Sequence, residues 1–467
     1  MPFRMGKVYN KRNNPTCNDV ENSSTFTMHR SSSFSTYSSS SSTPDFSQSP
    51  ALSPSSRTSS RSSISEAEFE NVAELLSNDY VPTKAAKDYI LVIGGLGYIG
   101  SHTTLELLKD GRNVIIVDNL TNSHESAFFN IQQLSSEHWA AQGLKSPTLK
   151  LHKLDYQSPF MRNVLRRYSN PTETRLSHIT GVIHFAGYKS VEESIHKPLE
   201  YYLNNVVGFI QLLVLLGDFG IYNLVFSSSA TVYGSNLNAG KPLREEDLVH
   251  HPTTDVDENG LPFELTPGVK GITNPYGRTK YFCEAILADV ARSNPLWRIT
   301  ALRYFNPVGC EPSGRLAEDP RQKPTNLFPV IAQVLTGEKP ALDVFGSDWT
   351  TSDGTPVRDF IHVVDLARGH LAALATADAR SSDRAFRAYN LGTGEGSTVA
   401  QVISCMEDAA LRSIPVRYAG RRDGDVGVCV AATERASREL GWKTEKSLEE
   451  CAADTWHCLC LSGKVAA

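Results

Sequence analysis

The sequence predicts an α/β fold built on a doubly wound parallel sheet, with a smaller part towards the C-terminus. From Asp88 onwards, short apolar strands alternate with longer helical segments, and a glycine-rich turn follows the first strand directly. Before that point the composition is dominated by serine. Because alternating strands and helices are typical of βαβ units, whose strands lie parallel, the folded part is predicted to begin near Asp88.

Residues 1–87 are predicted to form a disordered tail. They are rich in serine, threonine, asparagine and proline, as in the run Ser38–Ser42. Such a segment cannot bury enough apolar area to offset the entropy lost on ordering. One short amphipathic helix is predicted between Ser65 and Leu76. We interpret the tail as a solubilising segment, with regulation by phosphorylation of its serine–proline pairs as the alternative.

The overall composition excludes several functional classes. The chain of 467 residues has a net charge of -5, so no basic field favours nucleic acid or an anionic membrane. Its eight cysteines form no C-x-x-C pair and no zinc-type cluster with histidines, which favours reduced intracellular thiols and no metal. The longest apolar stretch, Val206–Leu216, is too short to span a bilayer. A soluble cytoplasmic protein is therefore expected.

The predicted sheet contains five clear strands, which are Ile90–Ile93, Asn113–Val117, Gly181–Phe185, Asn223–Ser227 and Arg298–Leu302. Between them, the helical segment Leu199–Leu216 is apolar on nearly every face in its second half. Such a helix needs cover from the sheet and from a second surface. A partner subunit is one candidate for that cover, so we expect a homodimer.

A glycine-rich turn at the end of the first strand predicts a dinucleotide site of the Rossmann type. Gly94 permits the tight turn, Gly97 lets the backbone approach a pyrophosphate, and Gly100 lets helix and sheet pack closely. The helix that follows presents free N–H groups to the anion. Asp118 ends the second strand, where its carboxylate binds both ribose hydroxyls and repels a 2′-phosphate, so NAD is favoured over NADP.

A second acidic residue, Asp155, ends a third strand-like run. It suits the adenine end of the dinucleotide, and a simple loop acid is the equal alternative.

Three side chains predict the chemical site. Tyr276 and Lys280 stand one helical turn apart, near the start of a helix marked by proline and glycine. A tyrosine is a poor base at neutral pH, but a neighbouring ammonium and a positive nicotinamide ring both favour the phenolate. Ser229 ends an apolar strand, so its hydroxyl is expected to face the ligand crevice and to bridge Tyr276 and the substrate.

These motifs, in this order, resemble the extended short-chain dehydrogenase/reductase family and, within it, the UDP-glucose 4-epimerases, over almost all of Tyr89–Trp456. Gly94–Ser101 is similar to the family's opening G-G-x-G-Y-I-G-S, and Leu302–Gly309 to its sixth-strand motif. The resemblance implies further cofactor contacts from Tyr98, Ile99, Asn119, Leu120, Asn122, Ser123, Tyr156, Phe185, Ala186, Gly187, Lys189, Asn205 and Phe305. It implies substrate contacts from Asn306, Asn326, Leu327, Asp343, Val344, Phe345, Arg358, Arg422, Asp425 and Cys429.

The resemblance also implies a reaction. Tyr276, helped by Ser229, would take the proton of the sugar C4 hydroxyl while the C4 hydride passes to bound NAD. The 4-keto sugar would then turn over and take the hydride back on its other face, so that UDP-glucose and UDP-galactose interconvert. Arg358 and Arg422 would hold the diphosphate, because guanidinium forks match phosphate oxygens. On this basis residues 88–305 are assigned to the NAD-binding domain. Residues 306–467 are assigned mainly to a UDP-sugar-binding subdomain, with some exchange of elements.

The sequence departs from the family's pattern at two places that concern the substrate. The loop between Glu246 and Thr273 is longer than in typical epimerases. Cys429 stands where epimerases confined to glucose and galactose carry a tyrosine, and a smaller side chain would leave room at the sugar C2. We therefore expect UDP-N-acetylhexosamines to be accepted too, unless a neighbouring side chain fills the space.

Two other functions were weighed. A nucleotide-sugar dehydratase or decarboxylase of the same fold begins with the same oxidation. Dehydratases, however, need an Asp-Glu pair where this chain has Ala230 and Thr231, and neither side chain does carboxylate chemistry. A catalytically silent NAD-binding scaffold is the other alternative, against which the intact Ser229, Tyr276 and Lys280 argue.

Overall fold

The structure is a computed structural model that describes residues 88–169, 176–238, 240–256, 260–319, 321, 324–378, 385–422 and 425–463. The tail and the short helix predicted within residues 1–87 lie outside the described residues. In chain order the strands are β1 (Tyr89–Ile93), β2 (Asn113–Asp118), β3 (Leu149–Lys153), β4 (Ile179–His184), β5 (Asn223–Ser229), β6 (Thr253–Val256), β7 (Pro262–Leu265), β8 (Arg298–Tyr304), β9 (Asn306–Val308), β10 (Leu342–Phe345), β11 (Val357–Arg358), β12 (Phe360–His362), β13 (Phe386–Leu391), β14 (Ser397–Thr398), β15 (Val416–Ala419) and β16 (Val428–Cys429).

The α-helices that the structure describes begin after the first strand. In chain order they are α1 (Tyr98–Lys109), α2 (Ser126–Ala140), α3 (Met161–Arg167), α4 (Val191–His196), α5 (Pro198–Tyr202), α6 (Gly208–Asp218), α7 (Pro275–Ser293), α8 (Leu327–Leu335), α9 (Val363–Asp378), α10 (Val399–Ala410), α11 (Glu434–Leu440) and α12 (Leu448–Leu461). A π-helical turn, Leu203–Val207, joins α5 to α6.

Seven parallel strands form the central sheet, in the order β13-β8-β5-β4-β1-β2-β3. The chain starts in the middle of the sheet, winds outwards to β3 and then crosses to the other side. The Rossmann-like doubly wound fold predicted from the sequence is thereby confirmed, and the five predicted strands are present with ends shifted by one or two residues. Helices cover both faces of the sheet.

Each face of the sheet has its own apolar core, because successive side chains of a strand point to opposite sides. Leu91 and Ile93 of β1 lie in one core, with side chains from α3, α6 and α7. Ile90 and Val92 lie in the other, with side chains from α1 and α9. A third apolar cluster, formed largely by α8, α10 and β10, lies in the C-terminal part of the chain.

The helical run Pro198–Asp218 matches the predicted apolar helix and is longer than the apolar stretch predicted from the sequence. Its buried side chains, among them Phe209, Leu212 and Leu216, pack into the sheet core. By length and composition alone, this 21-residue run could cross a membrane, although a core helix passes the same test. An apolar stripe remains exposed along its other face, formed by Leu199, Leu203, Val207, Ile210 and Val214.

The long loop between Glu246 and Thr273 contains an antiparallel hairpin, formed by β6 and β7. Its base is tied down by the Gly268 N–H, which donates to the Val249 carbonyl at 2.9 Å. The Nε2–H of His250, at the start of the loop, donates to the Glu284 carboxylate of α7 at 3.0 Å. The described part of this loop is therefore attached to the helix that begins at Pro275.

Candidate active site

A cleft of about 400 Å³ opens at the carboxyl ends of β1, β2, β4 and β5. In doubly wound sheets ligands bind at this edge, where the strand order reverses. Most of the predicted cofactor and catalytic residues line the cleft, together with one predicted substrate residue. They are Gly94, Gly97, Tyr98, Ile99, Gly100, Asp118, Asn119, Asn122, Ser123, Tyr156, Phe185, Ala186, Gly187, Lys189, Ser229, Tyr276, Lys280, Phe305 and Asn326.

The glycine turn has the geometry that close packing requires. Gly94 has a φ of +77°, and a Cβ on it would lie 2.8 Å from the Ala186 nitrogen. A Cβ on Gly100 would lie 2.2 Å from the Gly94 carbonyl oxygen. Around Gly97, by contrast, a Cβ would meet the Gly94 oxygen at 3.5 Å and no closer protein atom. Gly94 and Gly100 thus serve the protein's own packing, whereas Gly97 leaves open space at the start of α1.

Asp118 lies at the end of β2 with its carboxylate buried beside the glycine turn. One oxygen accepts from the Leu96 N–H at 2.9 Å. The other accepts from the Leu120 N–H at 2.9 Å and from the Ser123 hydroxyl at 2.8 Å. These bonds fix the position of the carboxylate, to which the hydroxyls of a ribose would bind. Leu120 does not line the cleft, and it supports the site through its N–H bond to Asp118.

Two other predicted cofactor residues, Asp155 and Asn205, lie behind the lining. Asp155 accepts from the Asn119 amide at 3.0 Å and so holds a side chain that does line the cleft. Asn205 is buried; its oxygen accepts from the Tyr188 N–H at 2.8 Å and its amide donates to the Tyr188 carbonyl at 3.0 Å. Both residues therefore position neighbouring segments of the cleft wall.

The catalytic side chains come together from two elements. Asn274 caps α7, accepting from the Gly277 N–H at 2.8 Å, and Pro275 occupies the first turn. Tyr276 and Lys280 consequently share one face of the first two turns. Ser229 ends β5 beside them, and its Oγ accepts from the Thr231 hydroxyl at 3.1 Å. Because the Ser229 oxygen accepts this bond, its own O–H is available to donate to another acceptor.

Burial is the largest influence on the catalytic tyrosine. It raises the pKa of Tyr276, and a hydrogen bond with Ser229 acts in the opposite direction. The Lys280 ammonium donates to the Ser227 carbonyl at 2.7 Å and lies 6.0 Å from the centre of the Tyr276 ring, and its predicted effect on the Tyr276 pKa stays a prediction. Burial also lowers the pKa of Lys280 to about 8. The effect of the nicotinamide charge on Tyr276 stays a prediction.

A buried ion pair lies directly behind the catalytic residues. The Arg303 guanidinium of β8 donates to Glu284 of α7 at 2.8 Å, and both side chains are fully buried. Glu284 also accepts from Ser228, the neighbour of Ser229. Arg303 further donates to the Tyr233 hydroxyl at 3.0 Å. This network joins the middle of α7 to the ends of β5 and β8, and local sequence spacing gave no sign of it.

The remaining predicted substrate residues lie outside the lining of the cleft, and several of them form a cluster. The Arg422 guanidinium lies 4.4 Å from the centre of the Phe345 ring and pairs with Asp425 at 3.1 Å. Arg358 is half-buried, and burial lowers its pKa, with Asp425 acting in the opposite direction. The other members of the predicted set are Asn306 on β9, Leu327 at the start of α8, and Asp343 and Val344 on β10.

Comparison with known proteins identifies the family. The model of the NAD dependent epimerase/dehydratase family matches residues 90–392. UDP-glucose 4-epimerase 2 of Arabidopsis thaliana is 44% identical over 368 residues, which cover 79% of this chain and 94% of that protein. The chain belongs to the NAD-dependent epimerase/dehydratase family.

Solved structures agree with this family. The UDP-glucose 4-epimerase of Bifidobacterium longum, in complex with NAD+ and UDP, has a TM-score of 0.68 and 39% identity over 80% of this chain and 99% of its own. The UDP-Glc/GlcNAc 4-epimerase of Campylobacter jejuni has a TM-score of 0.58 and 29% identity over 80% of this chain and 99% of its own.

The cleft of this family member fits the NAD for which the family is named. α1 begins after Gly97 without a side-chain cap, so the N–H groups of its first turn are available to a pyrophosphate. Asp118 supplies a fixed carboxylate for a ribose, and Arg315, which pairs with Glu137, is the one arginine in the cleft lining that the described residues form. Within the described ranges, no group of three or more His, Cys, Asp or Glu side chains is arranged to hold a metal ion.

Sequence reasoning missed one wall of the cleft. Arg315, Leu316, Ala317, Glu318 and Asp319 line it opposite the glycine turn. They belong to a loop that follows β9 and contains neither helix nor strand. Their place depends on contacts with residues almost 200 positions earlier in the chain, such as the bond from Asn130 to the Arg315 carbonyl. Local periodicity carries no signal for such a contact.

Proposed function

We propose that the protein is a UDP-glucose 4-epimerase that interconverts UDP-glucose and UDP-galactose with NAD as its cofactor. The observation that carries the proposal is the arrangement of Ser229, Tyr276 and Lys280 at the inner end of a dinucleotide cleft. The 44% identity to an Arabidopsis epimerase over most of both chains supports the same activity. Bound NAD supplies a reversible hydride acceptor for the sugar C4 carbon.

The side chains of this protein handle the proton. We assign to Tyr276 the role of base, which takes the proton of the C4 hydroxyl and later returns it. Ser229 donates to the same oxygen, because Thr231 occupies its acceptor side at 3.1 Å. Lys280 holds a positive charge next to the reacting centre and is itself fixed by the Ser227 carbonyl at 2.7 Å. A buried cation stabilises the negative charge that forms on the phenol oxygen.

The nucleotide is assigned to the cluster around Arg358 and Arg422. Two guanidinium groups suit a diphosphate, and the Phe345 ring and Asp425 suit a base and a ribose. Asn326, which lines the cleft at the start of α8, is assigned to the same nucleotide. Binding strength concentrated on the nucleotide leaves the hexose free to turn over between the two hydride transfers.

The dehydratase alternative gains no support from the site. Ala230 and Thr231 follow Ser229, and the Thr231 hydroxyl is engaged with the Ser229 hydroxyl. Elimination needs an acid and a base at this place. Glu284, which lies nearby, is held by Arg303 and is fully buried.

The first test uses the purified protein without added NAD. We expect UDP-galactose to be converted to UDP-glucose, with no net change in nicotinamide absorbance, as followed by chromatography of the nucleotide sugars. If neither direction proceeds even after NAD is added, and NAD is still found in the protein, the silent-scaffold alternative replaces the epimerase.

We further propose that UDP-N-acetylhexosamines are substrates. Cys429 is buried in an apolar cluster with Phe305, Ala230 and Ala431, and its strand β16 pairs with Arg358 of the nucleotide cluster. Cys429→Tyr is expected to lower turnover of UDP-N-acetylgalactosamine relative to UDP-galactose, whereas the volume-matched Cys429→Ser keeps the wild-type ratio. An unchanged ratio in Cys429→Tyr, in a protein that still turns over UDP-galactose, would show that Cys429 does not set the pocket width.

We also propose a cytoplasmic homodimer. The exposed apolar stripe of α5 and α6, formed by Leu199, Leu203, Val207, Ile210 and Val214, is the surface assigned to the second subunit. An exposed patch of this kind marks an interaction site. Leu203→Glu combined with Val214→Glu is expected to give monomers by light scattering, and a dimer that persists would contradict this surface.

The proposed cytoplasmic location is supported by the cysteines. The described cysteines form no disulfide, which suits a reducing compartment.

A further inference from the structure

The loop of residues 309–319, here called the strap, runs from the end of β9 across the cofactor cleft to α2. Its side chains from Arg315 to Asp319 form the wall of the cleft opposite the glycine turn. It leaves the part of the chain assigned to the nucleotide sugar and reaches the part assigned to NAD. Its attachments to the cofactor domain fall into an inner, an outer and a central group.

The inner attachment is made to α1, the helix that starts at the glycine turn. The Tyr98 hydroxyl donates to the Gly309 carbonyl at 2.6 Å. The Glu311 N–H donates to the His102 Nε2 at 3.1 Å, and the His102 Nδ1 donates to the Tyr98 carbonyl at 2.7 Å. Leu316 is buried in the apolar core beneath. This end of the strap is a fixed part of the fold.

The outer attachment is made to α2 and is exposed to solvent. The Asn130 amide donates to the Arg315 carbonyl at 2.8 Å. The Arg315 guanidinium forms a two-pronged ion pair with Glu137, with N to O distances of 2.9 and 2.6 Å. This pair lowers the pKa of Glu137 to about 2. A longer contact joins His124 to Asp319 at 3.8 Å, and just beyond the strap Arg321 donates to the Ser123 carbonyl at 2.7 Å.

The central attachment connects the two ligand sites. The Lys189 ammonium donates to Glu318 at 2.8 Å, and the Asn326 amide lies 3.4 Å from the same oxygen. Lys189 belongs to the residues assigned to NAD, and Asn326 to the residues assigned to the nucleotide sugar. The strap is therefore bonded to both sides of the cleft along its length.

We propose that the strap holds NAD in the cleft, so that release of the cofactor requires the outer end of the strap to detach from α2. The inner end is held by the bonds of Tyr98 and His102, and Leu316 is anchored in the apolar core, whereas Arg315 is held on α2 by polar contacts alone, of which the ion pair with Glu137 is exposed. Detachment at Arg315 would uncover the adenosine half of the cleft, where Ser123 and Asn130 line it. The inference rests on the assignment of NAD to this cleft.

Glu137 gives a clean test because it does not line the cleft and half of its side chain is exposed. We expect Glu137→Gln to speed the exchange of bound NAD against labelled NAD about two- to five-fold, the usual effect of losing one exposed ion pair. Adding Asn130→Ala should bring the increase to about tenfold, since both contacts hold the same end. The charge-swapped pair Glu137→Arg with Arg315→Glu should restore slow exchange.

The matched control is Asp218→Asn, which removes a similarly exposed ion pair with Arg162, at 2.6 Å, from the far end of α6. Its exchange rate should equal that of the wild type. If Glu137→Gln and the double variant exchange NAD no faster than this control, the strap does not retain the cofactor. Wild-type protein that carries no NAD and does not bind it would instead overturn the cofactor assignment itself.

Discussion

Removal of the buried Glu284 carboxylate is expected to destabilise the fold strongly. In Glu284→Gln the shape is kept, but Arg303 loses the charge that it contacts at 2.8 Å, at a place where both side chains are fully buried. Breaking such a pair from one side costs about 3–5 kcal/mol, because a charge is left buried without its partner. A typical domain has only about 5–15 kcal/mol of stability, so the urea midpoint should fall markedly.

The pH dependence gives a second, independent check. Arg303 and His250 hold the pKa of Glu284 well below its ordinary value, despite the opposing effect of burial. A carboxyl whose pKa is lowered in the folded state stabilises the protein above its ordinary pKa, about 4.3, and this contribution disappears as the pH falls below that value. The difference between wild type and Glu284→Gln should accordingly be largest near neutral pH and shrink in acid.

Urea unfolding followed by tryptophan fluorescence at pH 7 and at pH 4 would measure both effects. Removing both charges, in Glu284→Met with Arg303→Met, should cost less than the single change, since no unpaired charge remains. The exposed pair of Arg162 and Asp218 offers a control whose removal should barely move the midpoint. A loss below about 1 kcal/mol in Glu284→Gln at pH 7 would refute the reasoning, as it falls short of the cost of one unpaired buried charge.

Three further predictions concern the cleft. Tyr276→Phe should lower kcat by about 10²- to 10⁴-fold, because it removes the general base, while the NAD content measured after acid release stays at the wild-type level. Gly100→Ala places a Cβ 2.2 Å from the Gly94 oxygen, so the purified variant should contain little NAD; full occupancy would contradict this packing role. Burial lowers the pKa of Lys280 to about 8, so turnover of UDP-galactose should decline as the pH rises through 8. In Lys280→Arg the remaining activity should not decline there, since arginine keeps its charge.

The strands of the sheet could be predicted where their own residues carry the signal. Ile90–Ile93 and Asn113–Val117 are uninterrupted apolar runs, as expected for strands buried on both faces. β13 was not predicted, because Arg387 and Asn390 interrupt its apolar pattern. It becomes a strand through its parallel pairing with β8, almost 90 residues earlier in the chain, and such pairing cannot be deduced from a local pattern.

The same distinction applies to the site. The glycine turn with Asp118, and Tyr276 with Lys280, are short-range patterns, and the structure brings these residues to one cleft. The strap and the contact of Glu284 with Arg303 depend on loops and strands that meet only in the folded chain. The effect of burial, which raises the pKa of Tyr276, could not be predicted either, because burial depends on elements that meet only in the folded chain.

The position of β13 limits how the chain could be cut into separately expressed fragments. β13 comes from the C-terminal part, yet it forms the outer strand of the sheet next to β8. A fragment that stops before Phe386 would leave the hydrogen-bonding edge of β8 uncovered, and uncovered edges promote association between chains. The two parts are thus poor candidates for separate expression, and a split form of the protein would need both pieces present while each one folds.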